Sequence, residues 1–569
     1  MQILIYNYEI MKNKIYYYLI LGVCLASCQI DPLPIQDQTT EDLWSHSTYG
    51  EGILTNAYSG LNPGYQINMD YYTDNAVPSQ PGTNALALGS WTLEASPIGN
   101  WENSYNRIKY LNLYIQNGED LIYSVSDKVK DSILKSNRIG EAYFLRAWYQ
   151  AELLKNYAGK PEGGSEVLGF PIVTTVLEQG DDLDLPRNTY QECVAQIAED
   201  CDAAIDLLPN TYSDGSDPFE GLGNRGRASS LAALALKARV YLNAASPAYG
   251  DSSQVLWERA ATAAYEAIEA SGGLVNLANY NNFNNAASFD NIWIQPTYIG
   301  TGMESTYYPP SLYGNGACNP SQNLVDEFPT KDGYPVTESA IYDEANPYLN
   351  RDNRFYRFIF FNGDDYNGTT VETYDGGNDA PGGFNQQGTR TGYYMKKLLS
   401  KNVRLEPGNV NGDIKFYVYL GKTELYLNFA EAANEAYSPD GADLGYSAAD
   451  VMAKVRMRAG IDSDPIAADY QDQYMQDQIS AGKEAFRDFI QNNRRIELSF
   501  EGFRFWDIRR WNKPLNHTIE GVKIIRNAGV DTYNYINVEN HTFQDYMRYA
   551  PLPFAQTLIM NNLKQNAGW

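Results

Sequence analysis

Apolar residues recur at three- and four-residue intervals in segment after segment of this chain, the period of an amphipathic helix. Trp101 to Leu121 carries Tyr105, Ile108, Leu111 and Ile115 on one stripe, and Lys130 to Tyr157 carries Ala142, Leu145, Trp148 and Leu153. Thr189 to Leu208 stops at Pro209, which cannot continue a helix. Arg227 to Ala245 and Ser252 to Ala270 are rich in alanine, and the second closes at Gly272-Gly273. Thr423 to Tyr437, Ser447 to Ala459 and Lys483 to Phe500 complete the set. Thr39-Thr40-Glu41-Asp42 has the form of a capping box ahead of a helix running towards Tyr58. Small residues at packing positions let two helices approach closely, as in tetratricopeptide units of about 34 residues. The segments pair as 40–59 with 101–121, 133–157 with 189–208, 227–245 with 253–270, and 423–437 with 447–459. The expected fold is all-α, an α/α superhelix of four tetratricopeptide-like helix pairs with long irregular loop inserts.

Between 272 and 415 the character changes to Asn, Gly, Pro, Asp and Tyr, as in Asn362-Gly363-Asp364-Asp365-Tyr366-Asn367-Gly368 and Tyr374-Asp375-Gly376-Gly377. Loops this long are functional or disordered, and frequent aromatics argue for order. Neither acidic loop fits the ligand ladder of a calcium site. The chain holds 46 Tyr and 9 Trp, more amphipathic rings than a core requires, which points to a surface that grips something. With 43 basic and 70 acidic side chains the net charge is -27, and no basic block interrupts it. Nucleic-acid binding needs a positive footprint and is excluded.

Lys12 and Lys14 precede an apolar run from Ile15 to Ala26, too short to span a bilayer but suited to a signal peptide. Leu25-Ala26-Ser27-Cys28 resembles a bacterial lipobox, in which Cys28 becomes the lipidated first residue after removal of 1–27. Met11 is the more natural start. Cys193 and Cys201 lie about 12 Å apart on one helix, too far for a disulfide. With Cys318 they read as buried small hydrophobes.

Candidate chemistry is thin. His46, His517 and His541 fall in no metal-binding spacing, and no cofactor motif is present. Triads assemble in space, so a Ser-His or Cys-His nucleophile stays open, although nothing points to one. Glu497 and Glu501 are four apart, an arrangement open to a glycosidase acid and base. Arg494 and Arg504 favour instead a structural ion-pair ladder on a helix surface. Glu424, Glu431 and Glu435 form a similar solvated or salt-bridged stripe.

Several blocks carry a family resemblance. Gly140-Glu141-Ala142-Tyr143-Phe144-Leu145-Arg146-Ala147 resembles the GEArFLRA signature of the SusD/RagB family, nutrient-binding outer-membrane lipoproteins of Bacteroidetes. Ala430-Glu431-Ala432 and Val455-Arg456-Met457-Arg458-Ala459-Gly460 are similar to its AEA and VRxRAG blocks. The run from Arg494 to Trp511 resembles RRxELxFEGxRxxDxxRW. Asn350-Arg351-Asp352-Asn353-Arg354 and the ending Leu563 to Trp569 resemble NRDPR and LxQNPGW, each lacking one Pro. Gly421 stands where the family often has an Arg ahead of Glu424, so Glu424 needs another partner. The resemblance implies a single SusD-like domain over 28–569, with the helical scaffold at about 40–270 and 415–511 and a ligand-binding insert at about 272–415. It also implies a non-enzymatic lipoprotein on the cell surface that captures an oligosaccharide and delivers it to a SusC-like TonB-dependent transporter.

Sugar rings present apolar faces that stack on aromatics, and their hydroxyls need carboxylate, amide and guanidinium partners. Trp293, Tyr298, Tyr307, Tyr308 and Tyr313, set among Pro and Gly, form the first candidate platform. Trp91 with Tyr71, Tyr72, Asp74 and Asn75 forms the second, because the family's binding surface also draws on the insert before the second helix. Peptide capture, as in RagB-like members, and an α/α glycosidase using Glu497 or Glu501 are the alternative readings. The overall acidity argues mildly against highly sulfated or uronic polymers as ligands.

Overall fold

Each apolar stripe becomes a helix within a few residues of its expected ends: α1 (Ser47–Ser59), α2 (Trp101–Asn117), α3 (Lys128–Tyr157), α4 (Tyr190–Leu207), α5 (Ser230–Ala245), α6 (Gln254–Ala270), α7 (Lys422–Ala436) and α8 (Ala448–Arg458). Three more follow: α9 (Gln473–Ala481), α10 (Lys483–Glu497) and α11 (Phe503–Arg510). The computed structural model describes residues 44–569 except 45, 63, 85, 213–218, 220, 281–284 and 465–469. The signal segment 1–27, Cys28 and the capping box at Thr39 lie outside the described residues. Caps fix the helix starts. Thr189 and Glu192 exchange backbone hydrogen bonds in a capping box on α4, and Asp127 accepts the N–H groups of Val129 and Lys130 on α3.

The four expected pairs are in contact, α1 on α2, α3 on α4, α5 on α6 and α7 on α8. Contacts of α2 with α3, α4 with α5 and α6 with α7 join them into one all-α stack. Alanine makes the close approach possible. Ala260, Ala263, Ala264 and Ala267 of α6 are buried with Leu242 of α5 and Phe429 of α7. The packing of α6 on α7 is the topological key, because residues 271–421 leave the stack after one and rejoin it at the other.

That insert has its own aromatic core, in which Tyr308, Phe355, Phe358, Phe360, Tyr366 and Tyr394 pack together. It is tied to the stack by a ribbon of short antiparallel strands. β1 (Asn291–Ile294) pairs with β4 (Val418–Gly421), and β2 (Tyr298–Gly300) pairs with β3 (Asp413–Lys415). Between the two ladders the Gln295 N–H donates to the Tyr417 carbonyl at 2.8 Å. A hairpin that the sequence reading did not anticipate, β5 (Thr518–Asn527) with β6 (Val530–Asn540), turns at Ala528 and Gly529, both with positive φ.

Charges fill the seams. Glu424 pairs with Arg239 in place of the missing Arg, Glu431 with Arg510, and Glu435 with Arg487. The expected ladder on a helix surface is corrected in two respects. Glu497 is buried, bound by Arg354 at 3.2 Å, Arg458 at 2.7 Å and the Tyr280 hydroxyl at 2.6 Å. Glu501 lies beyond the end of α10 and pairs with Lys397. Arg494 and Arg504 turn instead to Asp507 and Asp74. Arg187 has only neutral partners: it donates to the carbonyls of Tyr157, Leu168, Gly169 and Lys564 and to the Asn566 side chain. Cys193, Cys201 and Cys318 are free and buried, and burial pushes the Cys193 thiol up to about 12.

Burial raises the Glu497 carboxyl, but Arg458, Arg354 and the Tyr280 hydrogen bond outweigh it and hold the group below its usual range. A depressed carboxyl stabilises the fold above the unfolded value of about 4.3, and that contribution is lost as pH falls. Glu497→Gln leaves two buried guanidinium groups short of charge and should cost about 3–5 kcal/mol at neutral pH. Glu501→Gln, on a half-buried pair, should cost less. Melting curves of both variants between pH 3 and 8 check this, with the Glu497→Gln deficit narrowing towards the acid end.

Candidate ligand-binding clefts

The strand pairing that ties the insert to the helical stack also builds a wall of rings. Because Tyr298 faces Lys415 in register, its hydroxyl meets that of Tyr417 at 3.3 Å. Tyr417 in turn meets Tyr65 edge to face, with centroids 5.3 Å apart. Gly64 permits this approach, since a Cβ there would lie 3.0 Å from the Tyr417 ring. The row Tyr298–Tyr417–Tyr65 divides two clefts.

The first cleft, about 580 Å³, lies on the insert side. Besides the three tyrosines it is lined by Tyr356 and Phe416, by the amides of Asn353 and Asn402, and by a charged wall including Arg357, Lys396, Lys401, Asp364 and Asp365. The second, about 530 Å³, lies against the helical stack between Tyr417, Tyr419, Phe503 and Trp506, with Asn62, Asn103, Arg107 and Glu152 at hand. Beneath them a small pocket of about 120 Å³ reaches Glu497 and Arg458.

Tyr298, 44% exposed, lines the first cleft, and Tyr313, at 56%, is open to solvent elsewhere on the insert. The other expected positions fall differently. Trp293 is corrected to the core: it is 2% exposed, boxed by Phe144, Trp148 and Tyr419 with centroids 4.5–4.9 Å away, and its indole N–H donates to the Gly226 carbonyl. Tyr308 is equally buried, its hydroxyl donating to the Ser400 carbonyl at 2.6 Å. Tyr307 is half-buried against the insert's core.

The second expected patch is interior packing. Trp91 is enclosed by Phe505, Phe543 and Trp569. Tyr72 leans on Phe505, and the Tyr71 hydroxyl donates to the Ala317 carbonyl. Asp74 receives two hydrogen bonds from Arg504 and a contact from Arg495, which overcome the effect of burial and hold its carboxyl far below the usual range. Asn75 is buried and accepts from Arg495. The Tyr71 hydroxyl, the Asp74 carboxylate and the Asn75 amide are thus spent on the protein itself.

Tyr65, Tyr417, Tyr356 and Arg357 went unmarked in the sequence. Tyr417 lies in the two-residue link between β3 and β4, and Tyr419 on β4, segments too short to give a periodic signal. Asn353 lies within the block Asn350–Arg354, and Arg357 follows it by three residues.

A helical-repeat scaffold carrying an inserted, ring-walled cleft defines a binding protein. Residues 280–569 match the SusD family, and residues 47–242 match a family described as starch-binding and associating with the outer membrane. The chain belongs to the SusD/RagB family, whose members bind ligands and are not enzymes. It is similar to the SusD-like protein P38 of Formosa agariphila, 25% identical over 530 residues that cover 87% of this chain and 90% of the relative. Its fold is that of a SusD-like protein from Bacteroides fragilis, with a TM-score of 0.72, 24% identity and coverage of 94% of this chain and 100% of that one. A SusD-like carbohydrate binding protein from the same species gives 0.68, at 21% identity and coverage of 91% and 99%.

The two kinds of aromatic position separate by melting. Trp293→Ala should destabilise the protein by about 3–5 kcal/mol, the usual cost of truncating a buried aromatic. Tyr298→Ala and Tyr313→Ala should stay within about 0.5 kcal/mol of the parent, as exposed substitutions do.

Proposed function

We propose that this protein is a cell-surface glycan-binding lipoprotein that captures an oligosaccharide in the cleft beneath Tyr298 and Tyr417. The row Tyr298–Tyr417–Tyr65 carries this reading. It offers ring faces for sugar stacking next to Asn353, Asn402 and Asp365, which suit hydroxyl groups. Membership of the SusD family supports it, as does the description of the B. fragilis relative as carbohydrate binding.

The same membership supports a partnership with a SusC-like TonB-dependent transporter in the outer membrane, with residues 28–569 acting as one unit tethered through Cys28. No helix among the described residues is long and apolar enough to cross a membrane.

Stacking on one tyrosine buries apolar area worth about 1.5–3 kcal/mol for a full aromatic side chain. Tyr298→Ala and Tyr417→Ala should each weaken binding by about tenfold or more. Calorimetry against a glycan identified on an array measures this, and full-strength binding by both variants would remove the cleft from consideration. Cys28→Ala should release the protein from the membrane fraction, because acyl chains make the tether stable. Fractionation in cells lacking the transporter checks it.

A further inference from the structure

The cleft on the insert side has a charge balance opposite to that of the molecule. The chain carries a net charge of -27, yet Arg357, Lys396 and Lys401 converge on one wall of this cleft. The ammonium groups of Lys396 and Lys401 lie 5.4 and 5.1 Å from the centroid of the same ring, Tyr366, so two like charges share one small surface. The carboxylates on that wall are Asp364 and Asp365. Asp364 is engaged by Lys396 at 2.6 Å, and exposed Asp365 accepts the Gly368 N–H at 3.4 Å. A fourth lining cation, Lys415, is buried and pairs with Glu304. Among the described residues, no ion pair joins a carboxylate to Arg357 or Lys401, and both are exposed.

Crowding like charges costs energy unless something compensates. Burial depresses Lys396, and Lys401 and Arg357 add to that despite the adjacent Asp364. An anion placed between the three cations relieves the repulsion. Arg357 offers a planar fork matched to sulfate or carboxylate oxygens, while the lysines act as point charges. A cleft with low-dielectric walls focuses such a field, so a local cationic patch can act within an acidic molecule.

We propose that the cleft selects anionic glycans, holding a sulfate ester or uronate carboxylate among Arg357, Lys396 and Lys401 while a neighbouring sugar ring stacks on Tyr298 and Tyr417. This rests on the glycan-binding reading above and narrows its substrate class. It also reverses the expectation drawn from net charge alone, because recognition depends on the local field.

The test is calorimetry of the mature protein with matched pairs: carrageenan beside its desulfated form, and polygalacturonate beside its carboxyl-reduced form. At least one anionic member should bind about tenfold or more tightly than its neutral counterpart, and that preference should shrink as salt rises. Loss on desulfation assigns the sulfate, and loss on carboxyl reduction assigns the uronate. The double variant R357A/K401A should melt like the parent, lose about tenfold for the anionic form and leave the neutral form unchanged. Neutral members binding as well as or better than their partners, or a double variant that binds the anionic form at full strength, overturns the charge proposal while glycan binding stands. No binding across these pairs and across a neutral glycan array overturns the glycan reading as well.

Discussion

A guanidinium that leaves water must find its hydrogen-bond partners inside the protein, and ten arginines are buried among the described residues. Seven of them meet carboxylates, as Arg146 meets Asp200, Arg354 meets Asp352 and Glu497, and Arg456 meets Asp472. Several of these pairs join segments far apart in the chain, as Arg146–Asp200, Arg354–Glu497 and Arg510–Glu431 do. Arg495 of α10 and Arg504 of α11 both close on Asp74, which fastens these two helices to the segment ahead of α2. Breaking one partner strands the other in a medium that cannot solvate it. The helical stack could tolerate many apolar exchanges, but these pairs accept one geometry.

The same constraint decides what the sequence could reveal. Helices repeat their signal every few residues, so the eight paired helices of the scaffold were legible from periodicity, and Pro209 and Gly272-Gly273 marked two of their ends. Asp74 and Trp91 carry no such signal. An exposed aromatic beside an amide and a buried aromatic beside an ion pair look alike in one dimension. Trp293 lies among polar and loop-forming residues, yet it is pinned into the core because β1 pairs with a strand more than a hundred residues later. Tyr298, five residues further on in the same ribbon, reaches the surface. Only the long-range register separates the two.

The cleft itself is a product of that register. Neither the insert nor the helical stack holds the tyrosine row alone: Tyr65 comes from the segment after α1, Tyr298 from β2, and Tyr417 from the turn between β3 and β4. Charge is arranged with similar economy. The acidic excess lies on the molecule at large, while three cations gather on one wall of the insert, where Tyr366 supports two of them. Net charge describes the molecule as seen from a distance; a ligand inside the cleft meets the local field.

Arg187 shows what this architecture asks of biosynthesis. Its guanidinium belongs to the first third of the chain, yet two of its acceptors are Lys564 and Asn566, a few residues from the end. Asn566 also donates to the carbonyls of Tyr157 and Ala550, so the last residues act as a plug in the helical stack. A chain made from its N-terminus can assemble α1 to α6 early, but the socket around Arg187 stays incomplete until Lys564 and Asn566 have been added. Premature truncation by even a handful of residues would therefore leave an opening near the start of the molecule, far in sequence from the missing piece. Quality control that reads exposed interior surface would detect an unfinished chain at the segment made first.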